Sequence, residues 1–220
     1  MTPARAVKPP ACKAPVRGLL ALLALLLATA CGHPREQPLP RGTRVLALGD
    51  SLTAPHGVAP GEAWPALLAE SSGWVVVNGG VSGDTSAGAL QRLPVLMDEH
   101  DPQLVLITLG GNDMLRRIPQ GQTVSNLGQM LTLVKARGAR AVLLATPKPS
   151  IAGAVFNNLS APDFYRQVAK DHQVPLIEDA MPEVLSDPRL KGDQLHPNAA
   201  GHALLSKKLF EALKEIGYLR

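Results

Sequence analysis

The sequence predicts an α/β protein, a three-layer α/β/α sandwich built on a five-stranded parallel sheet. From Arg44 onward, short apolar runs alternate with segments of helical periodicity. The apolar runs are continuous and not alternating, which is typical of strands buried on both faces of a parallel sheet. A chain of 220 residues, 45% of them hydrophobic, is also long enough to fold as one domain around its own core.

Five strand–helix units follow one another along the chain. The expected strands are Val45–Leu48, Trp74–Asn78, Leu104–Leu109, Ala141–Thr146 and Val174–Ile177. The expected helices are Ala63–Glu70, Ala87–Asp98, Thr123–Arg137, Asp163–Lys170 and Ala199–Ile216. Successive units of this kind form a parallel sheet with helices on both faces, and ligands bind at the carboxyl ends of its strands. The residues that directly follow each strand are therefore the candidates for a functional site.

The first 30 residues have the features of a secretory signal peptide. Four basic residues and no acidic residue precede or flank the uncharged run GLLALLALLLATA, which spans Gly18–Ala30. This run of 13 residues is too short to span a bilayer, for which about 20 are needed. A basic start, a short apolar centre and small residues before a boundary predict a signal that is removed on export.

The boundary itself, Leu27-Ala28-Thr29-Ala30-Cys31, resembles a bacterial lipobox. We expect Cys31 to become the lipidated first residue of the mature protein, with residues 31–43 as its Pro-rich tether and residues 44–220 as the folded domain. The alternative is an ordinary signal peptide that is cut near Ala30. Because Cys12 would leave with the signal, Cys31 would be the only cysteine left, and no internal disulfide is expected.

The charge of the predicted mature chain argues against a nucleic-acid partner. The whole sequence has 22 basic and 18 acidic residues, but four of the basic residues lie in the first 30 positions. The remainder therefore has 22 − 4 = 18 basic against 18 acidic residues, with no clustered positive surface expected. The sequence also has no phosphate-loop motif and no metal-binding His or Cys motif, so neither a cofactor nor a metal is expected.

The residues that follow the expected strands include every group that serine-dependent acyl transfer requires. Ser51 follows the first strand and is the candidate nucleophile, His196 is the candidate base, and Asp193 is the candidate carboxylate that orients the imidazole. Gly83 and Asn112 follow the second and third strands. Their N–H groups, together with that of Ser51, are three candidate donors to an oxyanion.

These residues fall in four blocks that resemble the SGNH hydrolases, also called GDSL esterases and lipases. The blocks are G-D-S-L at Gly49–Leu52, the oxyanion glycine Gly83 in SGDTSAG, G-G-N-D at Gly110–Asp113, and D-Q-L-H at Asp193–His196. They occur in the family's order, and the match extends over nearly all of 44–217. The resemblance implies a flavodoxin-like SGNH hydrolase fold, the roles assigned above, and catalysis without a cofactor.

Within that family, the segments AWPALLAE, SGDTSAG and LGGND are similar to bacterial multifunctional thioesterases/proteases/lysophospholipases and arylesterases. The resemblance thus implies hydrolysis of carboxylic esters or thioesters of fatty acids. A carbohydrate O-deacetylase and a non-catalytic lipid-binding lipoprotein are the alternatives.

Export and the lipobox together predict an anchored protein that faces the periplasm. Its partners are expected to be a small ester or lipid substrate and, through Cys31, the membrane. Gly32, in place of an aspartate after the cysteine, favours the outer membrane. A soluble periplasmic protein is the alternative location, and a monomer is expected.

Other polar residues are interpreted as structural. His202 is an alternative base, and Asp179 and Asp187 are alternative acids, but none has the spacing of the Asp193–His196 block. We interpret His56 as a surface or hydrogen-bonded histidine. Asp50 and Asp113 are expected to brace their own turns, and Trp64 and Trp74 are expected to lie in the core.

The segment after the fourth expected strand, Pro147–Leu159, reads PKPSIAGAVFNNL. It joins a strand end to a helix and therefore lies beside the predicted site. Its apolar residues either pack the loop onto the core or form a mobile wall for the acyl chain that includes Phe156, with Gly153 permitting movement.

Overall fold

The structure, a computed structural model, describes residues 36–149 and 158–220. The predicted signal peptide, Cys31 and the central part of the predicted acyl wall, with Gly153 and Phe156, lie outside these ranges. The expectations about them stay predictions.

A parallel five-stranded sheet forms the centre of the domain, as the sequence predicts. Its strands are β1 (Arg44–Gly49), β2 (Val75–Gly80), β3 (Leu104–Thr108), β4 (Arg140–Leu144) and β5 (Leu176–Ile177). They are ordered β2-β1-β3-β4-β5, and each neighbouring pair is parallel. This is the flavodoxin-like order, in which the chain changes direction of winding between β1 and β3 and leaves a crevice at their carboxyl ends.

Seven α-helices accompany the strands in the described residues. They are α1 (Trp64–Ser72), α2 (Ser86–His100), α3 (Gly111–Leu115), α4 (Gln120–Ala136), α5 (Phe164–Asp171), α6 (Ala180–Ser186) and α7 (Ala199–Ile216), with short 3₁₀ turns at Pro60–Glu62 and Pro188–Leu190. The five expected helices are present, and α7 has the expected bounds. The short helices α3 and α6 were not predicted, because five to seven residues are too few for a helical period to stand out.

Two apolar clusters cover the two faces of the sheet. Val45 and Ala47 of β1 point into the cluster with α1, α6 and α7, whereas Leu46 and Leu48 point into the cluster with α2, α4 and α5. All four side chains are fully buried. The alternation of the β-strand therefore supplies both cores, which confirms the three-layer sandwich. Trp64 and Trp74 lie in the first cluster, as expected.

Strand β2 departs from the expectation that every strand is buried on both faces. Val75 is 54% exposed, and Val76 and Val77 are only partly buried. The reason is the position of β2 at the edge of the sheet, where it pairs with β1 alone. Its run of valines is as apolar as a central strand, so the sequence pattern does not distinguish an edge strand from a central one.

Residues 36–43, which the sequence analysis assigns to the tether, lie against the domain. The N–H of Glu36 donates to the Ile216 carbonyl at 3.1 Å, and the N–H of Leu39 donates to the Tyr218 carbonyl at 2.9 Å. Leu39 also packs against the first apolar cluster. No helix among the described residues has both the length and the apolar composition needed to cross a membrane.

Candidate active site

Ser51 lies in a tight turn at the carboxyl end of β1. The carbonyl of Asp50 accepts hydrogen bonds from the N–H groups of Thr53 and Ala54, at 3.1 and 2.9 Å, which folds the turn back onto the strand. A Cβ at Gly49 would lie 2.1 Å from Thr53 Oγ1, and one at Gly80 would lie 2.3 Å from the Ala54 nitrogen. Glycine at the ends of β1 and β2 is therefore what allows the serine turn to pack this closely.

The structure brings Ser51, His196 and Asp193 together in one hydrogen-bonded chain. His196 Nε2 lies 2.9 Å from Ser51 Oγ, and His196 Nδ1 lies 2.8 Å from Asp193 Oδ2. The histidine and the aspartate belong to the loop that precedes α7, and 145 positions separate the serine from the histidine. The structure thus brings together the three side chains that the sequence analysis selects.

The loop that carries Asp193 is organised by hydrogen bonds to its own backbone. Asp193 Oδ1 accepts from the N–H groups of Leu195 and His196, at 2.7 and 2.8 Å. Partial burial by itself raises the pKa of Asp193, but the bonds from the Leu195 N–H and from the ring and N–H of His196 outweigh it and bring that pKa to about 2. An ionised carboxylate at neutral pH holds the proton of His196 on Nδ1 and leaves Nε2 as the acceptor that faces Ser51.

Gly83 and Asn112 lie with Ser51 along one cleft. Gly83 has a φ of +79° in the turn after β2, a conformation that favours glycine. Within the described residues, the N–H groups of Ser51 and Gly83 donate to no other group. Asn112 is in the first turn of α3, where its amide nitrogen donates one hydrogen to Asp50 Oδ2 at 3.0 Å and keeps a second hydrogen for another acceptor.

Asp50 is a buried carboxylate between the serine turn and α3. Its side chain is 1% exposed and accepts from the Leu52 N–H at 2.9 Å as well as from Asn112. Burial raises the pKa of Asp50 to about 6, and the two hydrogen bonds limit the increase. Asp50 thus braces its own turn, as expected, and in addition fixes the orientation of the Asn112 amide.

Arg92 of α2 joins the ends of the two strands that lead into the site. Its guanidinium donates to the Gly49 carbonyl at 2.9 Å, to the Gly79 carbonyl at 2.7 Å, and to Asp84 Oδ2 at 2.8 Å. The side chain is 24% exposed, so these bonds are formed in a largely water-excluded position. Arg92 therefore holds the two turns that carry Ser51 and Gly83 at a fixed separation.

Asp113 braces a different part of the chain from the one expected. Its buried carboxylate accepts from the N–H and hydroxyl of Ser86, at the start of α2, and from the hydroxyl of Thr123 on α4. From the sequence we expected Asp113 to brace its own turn, because the order of residues does not reveal that α2 begins beside α3.

Buried Tyr165 supports the turn that follows β3. Its hydroxyl donates to the Leu109 carbonyl at 2.7 Å.

The alternative base and acids lie elsewhere. His202 is fully buried and accepts from the Trp64 N–H through Nδ1; burial, with a smaller contribution from His196, lowers its pKa to about 4. Asp187 accepts from the N–H of Arg189 and forms an ion pair with its guanidinium. Asp179 is the residue before α6. Among the described residues, Asp193 is the carboxylate that hydrogen-bonds the His196 ring.

His56 was interpreted as a surface or hydrogen-bonded histidine, but it lies against the site. Its side chain is 44% exposed, and its ring centroid is 3.9 Å from that of His196. His56 Nε2 is also 3.9 Å from Asp193 Oδ2. No motif marks this residue; its position five residues after Ser51, in the same turn region, is the one signal in the sequence that could have indicated it.

The cleft in front of these groups has a volume of about 820 Å³. Five leucines line it, together with two prolines and two lysines: Leu52, Leu115, Leu159, Leu185, Leu195, Pro147, Pro149, Lys148 and Lys191. Leu115 and Leu195 are both 46% exposed. An apolar wall beside the Ser51 hydroxyl can accommodate a hydrocarbon chain.

The chain is similar to known hydrolases over most of its length. The GDSL-like Lipase/Acylhydrolase family matches residues 47–204. An arylesterase of Vibrio mimicus is 35% identical over 185 residues, which cover 81% of this chain and 88% of the relative. The thioesterase 1/protease 1/lysophospholipase L1 of Escherichia coli K12 is 38% identical over 175 residues, 78% of this chain and 84% of the relative.

Solved structures agree with this assignment. The psychrotrophic esterase EstA from Pseudoalteromonas sp. superposes with a TM-score of 0.68 at 30% sequence identity, covering 79% of this chain and 97% of the esterase. Fold, family match and relatives lead to one conclusion: this chain belongs to the GDSL-like lipase/acylhydrolase family, the SGNH hydrolases, and is a serine ester hydrolase.

Proposed function

We propose that the protein hydrolyses carboxylic esters or thioesters of fatty acids, with Ser51 as nucleophile, His196 as base and Asp193 as the orienting acid. The single observation that carries this proposal is the hydrogen-bonded chain from Ser51 Oγ through the imidazole to Asp193, at 2.9 and 2.8 Å, within an apolar cleft. A protein that merely bound lipids would have no need of this alignment.

In the first half of the reaction, Ser51 Oγ attacks the acyl carbon while His196 Nε2 takes the hydroxyl proton. The carbonyl oxygen becomes an oxyanion, which accepts from the N–H groups of Ser51 and Gly83 and from the Asn112 amide. Asp193 stabilises the imidazolium and remains ionised throughout. When the intermediate collapses, Nε2 returns its proton to the departing alcohol or thiol, and the acyl group stays on Ser51.

In the second half, water takes the place of the leaving group. His196 Nε2 removes a proton from the water as it attacks the acyl carbon, and the same three donors receive the oxyanion. Collapse breaks the bond to Ser51 Oγ, which regains its proton from the imidazolium. The fatty acid leaves and the enzyme returns to its starting state without a redox step or an added group.

The lining of the cleft supports an acyl chain as the recognised part of the substrate. Leu115 and Leu195 expose apolar surface on the cleft, so an acyl chain that covers them is removed from water together with them. Each buried methylene contributes up to ~0.8 kcal/mol. We therefore propose a fatty ester or thioester as the substrate, and we expect the enzyme to favour longer acyl chains up to the length at which the apolar lining ends.

We also propose that the protein is exported and anchored through a lipidated Cys31. This proposal is supported by the sequence of residues 1–31, with its basic start, short apolar run and lipobox-like boundary. The described chain packs against the domain from Glu36, five positions after Cys31. An enzyme held so close to its anchor would work at the membrane surface, where fatty esters are found.

Replacing Ser51 by Ala should abolish ester hydrolysis, since the hydroxyl is the attacking group. His196→Ala should have a closely similar effect, and the double variant should be no worse, because the two residues act as one unit. Asn112→Ala should lower kcat by about 10²–10³, the usual effect of losing one oxyanion donor. The measurement is hydrolysis of p-nitrophenyl butyrate, with thermal unfolding to verify the fold.

The matched control is Ser71→Ala, which removes an exposed serine on α1, outside the cleft. It should retain the wild-type rate. Near-normal hydrolysis by Ser51→Ala would contradict the serine mechanism. An inactive wild-type protein that nonetheless binds fatty acids would support the non-catalytic alternative.

Asp50→Asn should impair catalysis and should reduce the pH dependence of stability. An amide at position 50 has one oxygen for two donors, so its NH₂ group would face the Asn112 amide and turn it from the oxyanion position. We expect kcat to fall by roughly tenfold or more. The control is Asp171→Asn, an exposed carboxylate of α5 that accepts from Gln167.

The stability effect of Asp50→Asn should depend on pH. The folded-state pKa of about 6 is above the ordinary value of 3.8, so the folded protein binds this proton more tightly than the unfolded chain. Asp50 therefore lowers the free energy of unfolding progressively as pH rises from about 4 to about 6. Relative to the wild type, the free energy of unfolding of Asp50→Asn should be higher at pH 7.5 than at pH 4 by on the order of 1–3 kcal/mol, measured by urea unfolding. The same difference from the wild type at both pH values would contradict this account.

Catalytic efficiency should rise with acyl length and should depend on Leu115. We expect kcat/KM to increase from acetyl to octanoyl p-nitrophenyl esters. Leu115→Ala should lower kcat/KM for octanoyl by roughly three- to tenfold and leave acetyl nearly unchanged, because only the longer chain reaches this side chain. Val95→Ala, at a 63% exposed position outside the cleft, is the control. A wild-type preference for acetyl esters would favour the carbohydrate O-deacetylase.

Cys31→Ala should prevent membrane anchoring. We expect mass spectrometry of the membrane fraction to find a lipid-modified N-terminus at Cys31, and we expect the variant to be soluble or unprocessed. A soluble wild-type protein with an unmodified Cys31 would contradict the anchor and leave the catalytic proposal unaffected.

A further inference from the structure

His56, Asp193 and His196 form a cluster of metal-ligand side chains at the mouth of the cleft. One ligand atom from each residue lies within 4.8 Å of the other two. His196 Nδ1 is 2.8 Å and His56 Nε2 is 3.9 Å from Asp193 Oδ2. Within the described residues, no hydrogen bond occupies the ring nitrogens of His56, so its Nε2 is available as a ligand.

The distances between the ligand atoms of this cluster are close to those found around a bound Zn²⁺ ion. Zn²⁺ binds imidazole nitrogen and carboxylate oxygen at about 2.0–2.2 Å in tetrahedral geometry, which places neighbouring ligand atoms about 3.4 Å apart. The observed separations of 2.8 and 3.9 Å lie on either side of that value. As an ion enters, the contact of Asp193 Oδ2 with His196 Nδ1 would lengthen by about 0.6 Å and its contact with His56 Nε2 would shorten by about 0.5 Å.

The cluster is also open to solvent. The side chains of His56 and Asp193 are 44% and 50% exposed, so a hydrated ion can approach them and retain a water as its fourth ligand. Two imidazoles and one carboxylate form a ligand set that Mg²⁺, which prefers oxygen ligands, does not favour.

We propose that His56, Asp193 and His196 form a Zn²⁺ site whose occupation switches the hydrolase off. This inference rests on the proposed roles of His196 and Asp193. An ion on Nδ1 takes the position of the Nδ1 proton, and that proton moves through solvent to Nε2. A protonated Nε2 donates to Ser51 Oγ and cannot accept its proton, so the attack on the acyl carbon is blocked.

The test is a zinc titration of the untagged, chelator-treated protein with p-nitrophenyl butyrate as substrate. Activity should fall with ZnCl₂, return with EDTA, and stay constant with MgCl₂. Isothermal titration calorimetry should find one Zn²⁺ bound per chain. Calorimetry on Ser51→Ala should find the same binding, which makes the metal site measurable whether or not the proposed catalytic roles hold.

His56→Phe is the deciding variant, because it keeps an aromatic ring against His196 and removes the ligand nitrogens. Loss of a partner outside the ligand sphere typically weakens a metal site by 10–100-fold, so loss of a direct ligand should raise the inhibitory zinc concentration by at least about tenfold. Each variant is compared with its own metal-free rate. His100→Phe, at a histidine outside the cleft, is the control and should respond to zinc as the wild type does.

Two results would overturn the proposal. One is an equal zinc response in His56→Phe and the wild type. The other is no zinc binding to the wild-type protein by calorimetry.

Discussion

The site depends on one buried carboxylate, Asp50, at the crevice between β1 and β3. Its carboxylate accepts one hydrogen bond from the Leu52 N–H of its own turn. It accepts a second from the Asn112 amide of α3, the helix that follows β3. These bonds link the serine turn to α3 beyond Gly49 and Thr108, where the pairing of β1 with β3 ends. Burial disfavours the charge of Asp50 and raises its pKa to about 6, so the linkage is maintained at some cost in stability.

The surrounding structure over-determines this arrangement. Arg92 of α2 holds the Gly49 and Gly79 carbonyls, and Tyr165 of α5, in the same helical layer, holds the Leu109 carbonyl. A Cβ at Gly110 would lie 2.4 Å from the Tyr165 hydroxyl, and its φ of +117° also requires glycine. The turns after β1, β2 and β3 are thus fixed from the helical layer of α2 and α5, and a set of oxyanion donors requires such preorganisation.

The sequence was sufficient for the parts of the protein that depend on local pattern. Continuous apolar runs located all five strands, and the four blocks selected three residues that the structure joins by hydrogen bonds, with Gly83 and Asn112 along the same cleft. What it could not indicate depends on contacts through space. Val75 has the composition of a central strand but lies at an edge, and Asp113 braces a helix that begins 27 positions earlier. His56 meets His196 because the turn after β1 and the loop before α7 fold against each other.

The nucleophile and the base are supported in different ways. Ser51 is fixed by long-range packing, whereas the loop of Asp193 and His196 is held by bonds to backbone N–H groups two and three positions away. That local geometry explains the D-x-x-H spacing: the carboxylate must be close enough to accept from the loop's own backbone and still meet Nδ1 of the ring. It also explains why a half-exposed carboxylate has a pKa of about 2, since the donors that stabilise its charge move with it. A self-contained loop can therefore keep the acid and base aligned at the solvent-exposed edge of the cleft, which leaves the opposite wall free to be apolar.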